Sequence, residues 1–338
     1  MLFDNHNRPI TYLRLAVTDR CNLRCFYCMP AEGIQYVPKK ELLTFEEIER
    51  LVRLLASMGI SKIRITGGEP FVRNDLMRLL QTLVEIPNID QVHLTTNGVL
   101  TAPHVPALKA MGIASVNLSL DTLDRDRFKS ITRRDEFDRV WETFQLLLMH
   151  GVPVKLNAVV MDGRNIEDIA ALAALTRDYP VSVRFIEEMP FNGEGLHYPQ
   201  LTWDHTKILE VLKRAFPAIH KKPDPPHSTA YHYAIPGHQG DVGIIAAFSR
   251  TFCGTCNRIR VTAQGELKTC LYDHGVLSIR DAVRAGKTDN ELHDILIQAF
   301  RQRPKDPSNW LKSAHHDYTA PISSRAQFSP RFSFVFGD

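Results

Sequence analysis

Between residues 11 and 190, short runs of β-branched or alternating apolar residues recur, separated by stretches whose apolar positions follow a helical period. The runs at 11–18 (TYLRLAVT), 62–67 (KIRITG), 91–97 (QVHLTTN), 114–121 (ASVNLSLD), 152–160 (VPVKLNAVV) and 181–189 (VSVRFIEEM) predict six strands. Helices are predicted between them. In TFEEIERLVRLLASMG, Thr44 can cap the first turn, Glu47 three residues later completes a capping box, and Gly59 is the stop. NDLMRLLQTLVE, EFDRVWETFQLLLMHG and NIEDIAALAALTR place apolar residues at i, i+3 and i+4. Alternating strands and helices imply right-handed parallel βα units, closed into a barrel or left as an open doubly wound sheet. In both architectures functional residues sit at the C-terminal ends of the strands.

Beyond residue 190 the pattern changes. PFNGEGLHYPQ reads as a loop, WDHTKILEVLKRAF as a helix and KKPDPPHSTA as a Pro-rich linker. A second region begins near 222, with strands YHYAIP, VGIIAAF and RIRVTA, the turn AQGE, two short helices and a polar tail. The expected division is 1–221 and 222–338.

At 338 residues and 44% apolar content, the chain can bury a full core. Lys plus Arg total 41 against 38 Asp plus Glu, a net charge of +3, so a nucleic-acid-coating role is not expected and any anion site must be local. The N-terminus lacks a signal-peptide pattern, and no stretch approaches 18 uninterrupted apolar residues, so the expectation is a cytoplasmic protein without membrane association. Six cysteines are too few for a disulfide scaffold.

All six fall into two triplets. Cys21, Cys25 and Cys28, in CNLRCFYC directly after the first strand, can ligate three corners of a [4Fe-4S] cube and leave one iron open. A zinc site completed by a distant His, or inert buried thiols, are the plainer alternatives. Cys253, Cys256 and Cys270, in FCGTCNRIRVTAQGELKTC, are again three thiolates rather than four. A zinc ribbon completed by His274 or an aspartate competes there with a second open cluster. ITGGEP at the end of the second strand is either an ordinary βα turn or a place where backbone approaches a ligand closely.

DRCNLRCFYCMP followed by ITGGEP resembles the radical S-adenosylmethionine (SAM) superfamily. The resemblance narrows to the GTP 3′,8-cyclase family of molybdenum cofactor biosynthesis through LRLAVTDRCN, IRITGGEP, LTTNG, VNLSLDTLD, VRFIEEMPF and FCGTCNRIR, which span nearly the whole chain. It implies an incomplete parallel (β/α)6 TIM-like barrel with a C-terminal segment bearing a second cluster. It also implies radical SAM cyclisation of GTP to (8S)-3′,8-cyclo-7,8-dihydroguanosine 5′-triphosphate.

By the same resemblance both triplets hold [4Fe-4S] clusters, and Tyr27, Gly67, Gly68, Glu69, Ser119 and Met189 bind SAM. Arg14, Arg64, Thr95, Lys155, Arg258 and Arg260 bind GTP. Arg14, Arg64 and Lys155 lie within predicted strands, where an inward charge costs several kcal/mol unless paired or bound to an anion. Arg258 and Arg260 share a parity and would face one side. The implied partners are an external electron donor and a downstream cyclic pyranopterin monophosphate synthase; the sequence leaves a homodimer open. One departure is the C-terminus, Gly337-Asp338, where the family has two glycines. This leaves room for a peptide-modifying radical SAM enzyme, and zinc in both triplets would make the chain a non-enzymatic binding module.

Overall fold

The structure is a computed structural model that describes residues 2–189, 202–249, 253–271, 273 and 275–305. The expected loop after residue 190, His274 and the tail with Gly337 and Asp338 lie outside the described residues. In chain order the elements begin with β1 (Tyr12–Ala16), α1 (Phe45–Met58), β2 (Lys62–Thr66), α2 (Leu76–Val84), β3 (Gln91–Thr96), α3 (Val105–Ala110), β4 (Ser115–Ser119) and α4 (Arg125–Thr132). Next come α5 (Phe137–Met149), β5 (Val154–Val160), α6 (Asp168–Asp178), β6 (Ser182–Glu187) and α7 (His205–Ala215). The last are β7 (His220–Lys221), β8 (Ala230–Ala234), β9 (Asp241–Ile245), β10 (Arg258–Val261), β11 (Glu266–Lys268), β12 (Leu277–Ser278), α8 (Ile279–Arg284) and α9 (Asp289–Arg301).

The six predicted strands are present as β1 to β6. Helix α1 starts and stops where its sequence says. Thr44 Oγ1 accepts the Glu47 amide at 3.1 Å, Glu47 Oε2 accepts the Thr44 amide at 2.8 Å, and Gly59 ends the helix at φ 114°. Its buried stripe is Ile48, Leu51, Val52 and Leu55. Helices α3 and α4 were not among the predicted segments. The eight residues of α4 include only Phe128 and Ile131 as large apolar positions, too few to reveal a period.

The chain forms two compact units, each assembled from separate stretches. The first comprises Met1–Arg20, Tyr36–Val92 and Phe252–Val335. Here β1 lies between β2 and β10, parallel to both, and β11 and β12 continue antiparallel. One face of these strands carries Leu13, Leu15, Ile63, Ile65, Ile259 and Val261, all buried. The other face carries charge.

The second unit comprises Cys21–Gln35, His93–Thr251 and Phe336–Asp338. Its strands β3, β4, β5, β6 and β9 run parallel in that order, and β8 and β7 follow antiparallel. Leu94, Val116, Leu118, Leu156, Val183 and Phe185 form fully buried rungs, as expected for parallel strands covered on both faces. The sequence predicts strands at β9 and β10 but not that each joins a parallel ladder, because β7 and β8 stand between α7 and β9, and only a short segment separates β9 from β10. Strand–helix alternation with parallel pairing makes the fold an α/β partial barrel with a C-terminal region.

Candidate active site with two cysteine triplets and a row of cations

The loop carrying Cys21, Cys25 and Cys28 leaves β1 and is held mainly by its own backbone and by the end of α4. The amides of Cys28 and Met29 donate to Cys25 O at 2.9 and 3.0 Å, and Arg24 Nη1 donates to the carbonyls of Cys21 and Leu23 at 2.7 and 2.8 Å. Arg24 N donates to Thr132 O, Phe26 N to Ile131 O, and Arg133 Nη1 to Met29 O at 3.0 Å. Asn97 Nδ2 donates to Cys21 Sγ at 3.7 Å.

The three thiols feel one another. Burial pushes the Cys25 thiol well up, with Cys28, Asp121 and Cys21 adding to it, and burial plus Cys21 push Cys28 up to about 12. As thiolates they need positive charge among them, which iron supplies when it ligates them. The donor set therefore fits a cluster. Among the described residues no three His, Cys, Asp or Glu side chains are placed to share one metal ion. A cubane asks for something different, one thiolate at each of three iron corners.

Behind this loop, Tyr27 Oη donates to Asp121 Oδ2 at 2.8 Å, and Asp121 Oδ1 accepts the Val159 amide at 2.8 Å. Burial raises Asp121 to about 6 against those two hydrogen bonds. The cap of α4 is Asp124, which leaves Asp121 to anchor the phenol that lies between Cys25 and Cys28 in sequence.

In the first unit, Gly67, Gly68 and Glu69 zip against residues 18–20, the segment that runs into Cys21. Gly68 N donates to Thr18 O and Glu69 N to Arg20 O, both at 2.8 Å. A Cβ on Gly67 would sit 2.7 Å from Thr18 O, and one on Gly68 would sit 2.6 Å from the carbonyl carbon of Arg20 and 2.9 Å from Asp19 O. Both glycines are thus required by the approach of the chain's own backbone. Glu69 is fully buried, its Oε1 accepting the Phe71 amide at 3.1 Å.

The charged face of this unit is organised by register. Arg14 pairs with Arg64 on one side and Arg260 on the other, and Arg260 pairs with Lys268. Register partners on neighbouring strands share a face, so four cations form one row across four strands spaced about 4.8 Å apart. Arg14 and Arg64 are buried. Two residues earlier the row is Arg258, Tyr12 and Lys62; Arg64 Nε donates to Tyr12 Oη at 2.6 Å, and the Lys62 ammonium lies 4.6 Å from the Tyr12 ring centre. Two cations 5 Å apart repel by roughly 3 kcal/mol at an effective dielectric of 20. Lys268 Nζ donates to Asp273 O at 2.9 Å, and a row of this kind can receive a polyanion.

Cys253, Cys256 and Cys270 are partly buried in the same unit. Burial alone would raise the Cys256 thiol, but Arg303 and Arg258 outweigh it and hold it below the usual range. Asp273 Oδ2 accepts the amides of Thr269 and Cys270 at 2.7 and 2.8 Å, which fixes where Cys270 leaves the strand. Thiolates pre-stabilised by cations are suitable iron ligands.

In the second unit, Thr95, Asn117, Lys155 and Ser182 stand in one row across β3 to β6, and Ser119, Asn157 and Arg184 in the next. Thr95 Oγ1 and both amide atoms of Asn157 are buried with no hydrogen-bond partner among the described residues. Met189, just past β6, is buried. Sequence reasoning missed Asn157, Arg184 and Lys268. For Asn157 and Arg184 the signal was available, because a polar residue at strand-interior parity is the same cue that singled out Lys155.

The Radical SAM superfamily matches residues 15–176, and the Molybdenum Cofactor Synthesis C family matches residues 181–308. "GTP 3′,8-cyclase, mitochondrial" of Arabidopsis thaliana is 41% identical over 304 residues, covering 90% of this chain and 78% of that protein. "GTP 3′,8-cyclase" of Syntrophomonas wolfei is 40% identical over 304 residues, covering 90% of this chain and 93% of that protein. "Molybdenum cofactor biosynthesis protein 1" of Drosophila melanogaster is 41% identical over 316 residues; the chain spans 56% of its length, and about half the length of several other curated relatives it matches. Among solved structures, SuiB of Streptococcus suis bound to precursor peptide SuiA has a TM-score of 0.62 at 16% identity, covering 89% of this chain and 67% of that one, a likeness of fold. The identity and coverage shared with the Arabidopsis and Syntrophomonas proteins place this chain in the GTP 3′,8-cyclase family of the radical SAM superfamily.

Proposed function

We propose that the chain is a radical SAM lyase that cyclises GTP to (8S)-3′,8-cyclo-7,8-dihydroguanosine 5′-triphosphate, the first step of molybdenum cofactor biosynthesis. The observation that carries this reading is the row Arg64, Arg14, Arg260 and Lys268, in the same unit as a second cysteine triplet. A triphosphate offers several negative oxygens to cations arranged in this way. Bound together, the first cluster and SAM would supply a 5′-deoxyadenosyl radical able to take hydrogen from C3′ of GTP; closing the C3′–C8 bond would leave a purine radical that needs one further electron, from the external donor, and a proton to give the dihydro product.

The chain's own residues bind and orient. Arg14, Arg64, Arg258 and Arg260 hold phosphate oxygens, and the Tyr12 hydroxyl fixes the Arg64 guanidinium. We assign Thr95 and Lys155 to GTP as well, and Tyr27, Gly67, Gly68, Glu69, Ser119 and Met189 to SAM, on the motifs quoted above. Asn157 and Arg184 join the polar rows that serve these ligands; the unsatisfied amide of Asn157 supports this. Cys21, Cys25 and Cys28 hold the first [4Fe-4S] cluster, and Cys253, Cys256 and Cys270 a second.

On this reading 1–221 is the radical SAM partial barrel and 222–338 the C-terminal region with the second cluster and the tail. An external electron donor feeds the reaction, and a cyclic pyranopterin monophosphate synthase takes the product. The proposed setting is the cytoplasm; among the described residues no helix is long and apolar enough to cross a membrane. Anaerobic incubation with SAM, dithionite and GTP tests the reading. A cyclised nucleotide is expected; 5′-deoxyadenosine without any modified nucleotide would overturn it.

A further inference from the structure

Arg303 lies just past α9 and is 3% exposed. Its guanidinium makes five contacts: Nε donates to Thr269 O at 2.9 Å, Nη1 to Cys256 O at 3.0 Å and Asp4 Oδ2 at 3.3 Å, and Nη2 to Arg258 O at 2.8 Å and Cys256 Sγ at 3.0 Å. Asp4 is shared with Arg8, whose Nε donates to Oδ2 at 2.6 Å. Arg8 in turn holds the carbonyls of Cys253, Pro304 and Lys305 at 2.7, 2.8 and 3.0 Å. Two arginines and one aspartate sit buried together, so the group is one positive charge in excess, and the sulfur of Cys256 lies against it. A staple between chain ends requires no contact with sulfur, because carbonyls alone would satisfy the guanidinium.

We propose that Arg303 is a positioning residue for the second iron-sulfur cluster, its N–H to Cys256 Sγ both aiming that thiolate and raising the cluster's electron affinity. The inference rests on the second-cluster reading above. A cationic N–H on a ligating sulfur draws electron density from the cluster and favours the reduced form, since hydrogen bonds to sulfur and local charge are principal determinants of its potential. Cys21 of the first triplet receives instead the neutral amide of Asn97 at the longer distance of 3.7 Å.

The test uses a parent protein with Cys21, Cys25 and Cys28 all changed to alanine, so that the second site alone is read. Iron and acid-labile sulfide in that parent test the second-cluster reading; their absence would overturn it. In Arg303→Gln made on that parent, a dithionite titration followed by electron paramagnetic resonance is expected to show a more negative midpoint. At a fixed poise the reduced-to-oxidised ratio should fall about tenfold, which is about 59 mV for one electron. Arg303→Lys, which keeps the charge beside Asp4, should shift in the same direction by less. Arg284→Lys, which loosens a staple to Glu47 and to the carbonyls of Lys40 and Leu42 and touches no cysteine, should lower thermal stability and leave the midpoint in place. An unchanged midpoint in the Arg303 variants, or an equal shift in Arg284→Lys, would reduce Arg303 to a structural staple and overturn the inference.

Discussion

Replacing Gly68 with alanine probes the joint between the glycine turn and the first cysteine loop. The added methyl would lie 2.6 Å from the carbonyl carbon of Arg20 and 2.9 Å from Asp19 O, where contact between such atoms normally needs about 3.5 Å. The obstacle is backbone, so residues 19–20 must retreat by about 1 Å. That retreat breaks Glu69 N to Arg20 O and stretches Gly68 N to Thr18 O, at about 1 kcal/mol each, on top of roughly 1–3 kcal/mol for overpacking. The sum is roughly 3–5 kcal/mol, and Arg20 directly precedes Cys21, so the first triplet loses its position. The assay is urea unfolding of the metal-free protein, with iron per chain after anaerobic reconstitution. About half the wild-type iron should remain, at the second triplet. A loss under about 1 kcal/mol with full iron would show that the zipped segments do not support the first cluster loop.

Tyr27→Phe should cost about 1–3 kcal/mol, because Asp121 stays buried with one fewer donor; denaturant unfolding at pH 7 reads it, and a neutral result would mean that the pair is not formed. Arg260→Gln should weaken GTP binding about 10- to 100-fold, the value of a charge-assisted contact worth roughly 1.5–3 kcal/mol, by calorimetry; a change under threefold would remove Arg260 from the row's function. Asp4 gives a pH test. Burial would raise its pKa, but the amides of Arg8 and His6 and the Arg8 guanidinium outweigh that and hold it below the ordinary carboxylate value. The folded state therefore binds the proton more weakly than the unfolded one, so the contribution is complete above an unfolded value of about 3.9 and disappears as pH falls through the folded value. The stability gap between wild type and Asp4→Asn should hold steady from pH 7 to about 5 and narrow as pH falls below about 4, and a gap constant down to the acid limit would contradict the assignment.

Local signals were legible and neighbour relations were not. Thr44, Glu47 and Gly59 mark the ends of α1 because a cap is made by residues three apart. Burial of Arg14 and Arg64 follows from their parity in apolar strands, yet nothing in the sequence puts Arg260 beside Arg14, since register between strands some 240 residues apart is a tertiary fact. For the same reason Lys268 and Arg303 were invisible, the first at the end of a three-residue strand and the second beyond the last helix. Gly67 and Gly68 read from sequence as a turn or a place where backbone approaches a ligand; the close approach in the structure is that of Thr18 and Arg20. The pairing of Asp121 with Tyr27, 94 residues away, cannot be found by local spacing.

The most direct test of the central claim follows the hydrogen at C3′. The reconstituted protein is incubated anaerobically with SAM, dithionite and GTP deuterated at C3′, and the 5′-deoxyadenosine formed is analysed by mass spectrometry. Deuterium in the 5′-deoxyadenosine, together with a cyclised nucleotide, is the predicted result. Unlabelled 5′-deoxyadenosine with GTP recovered intact would contradict it.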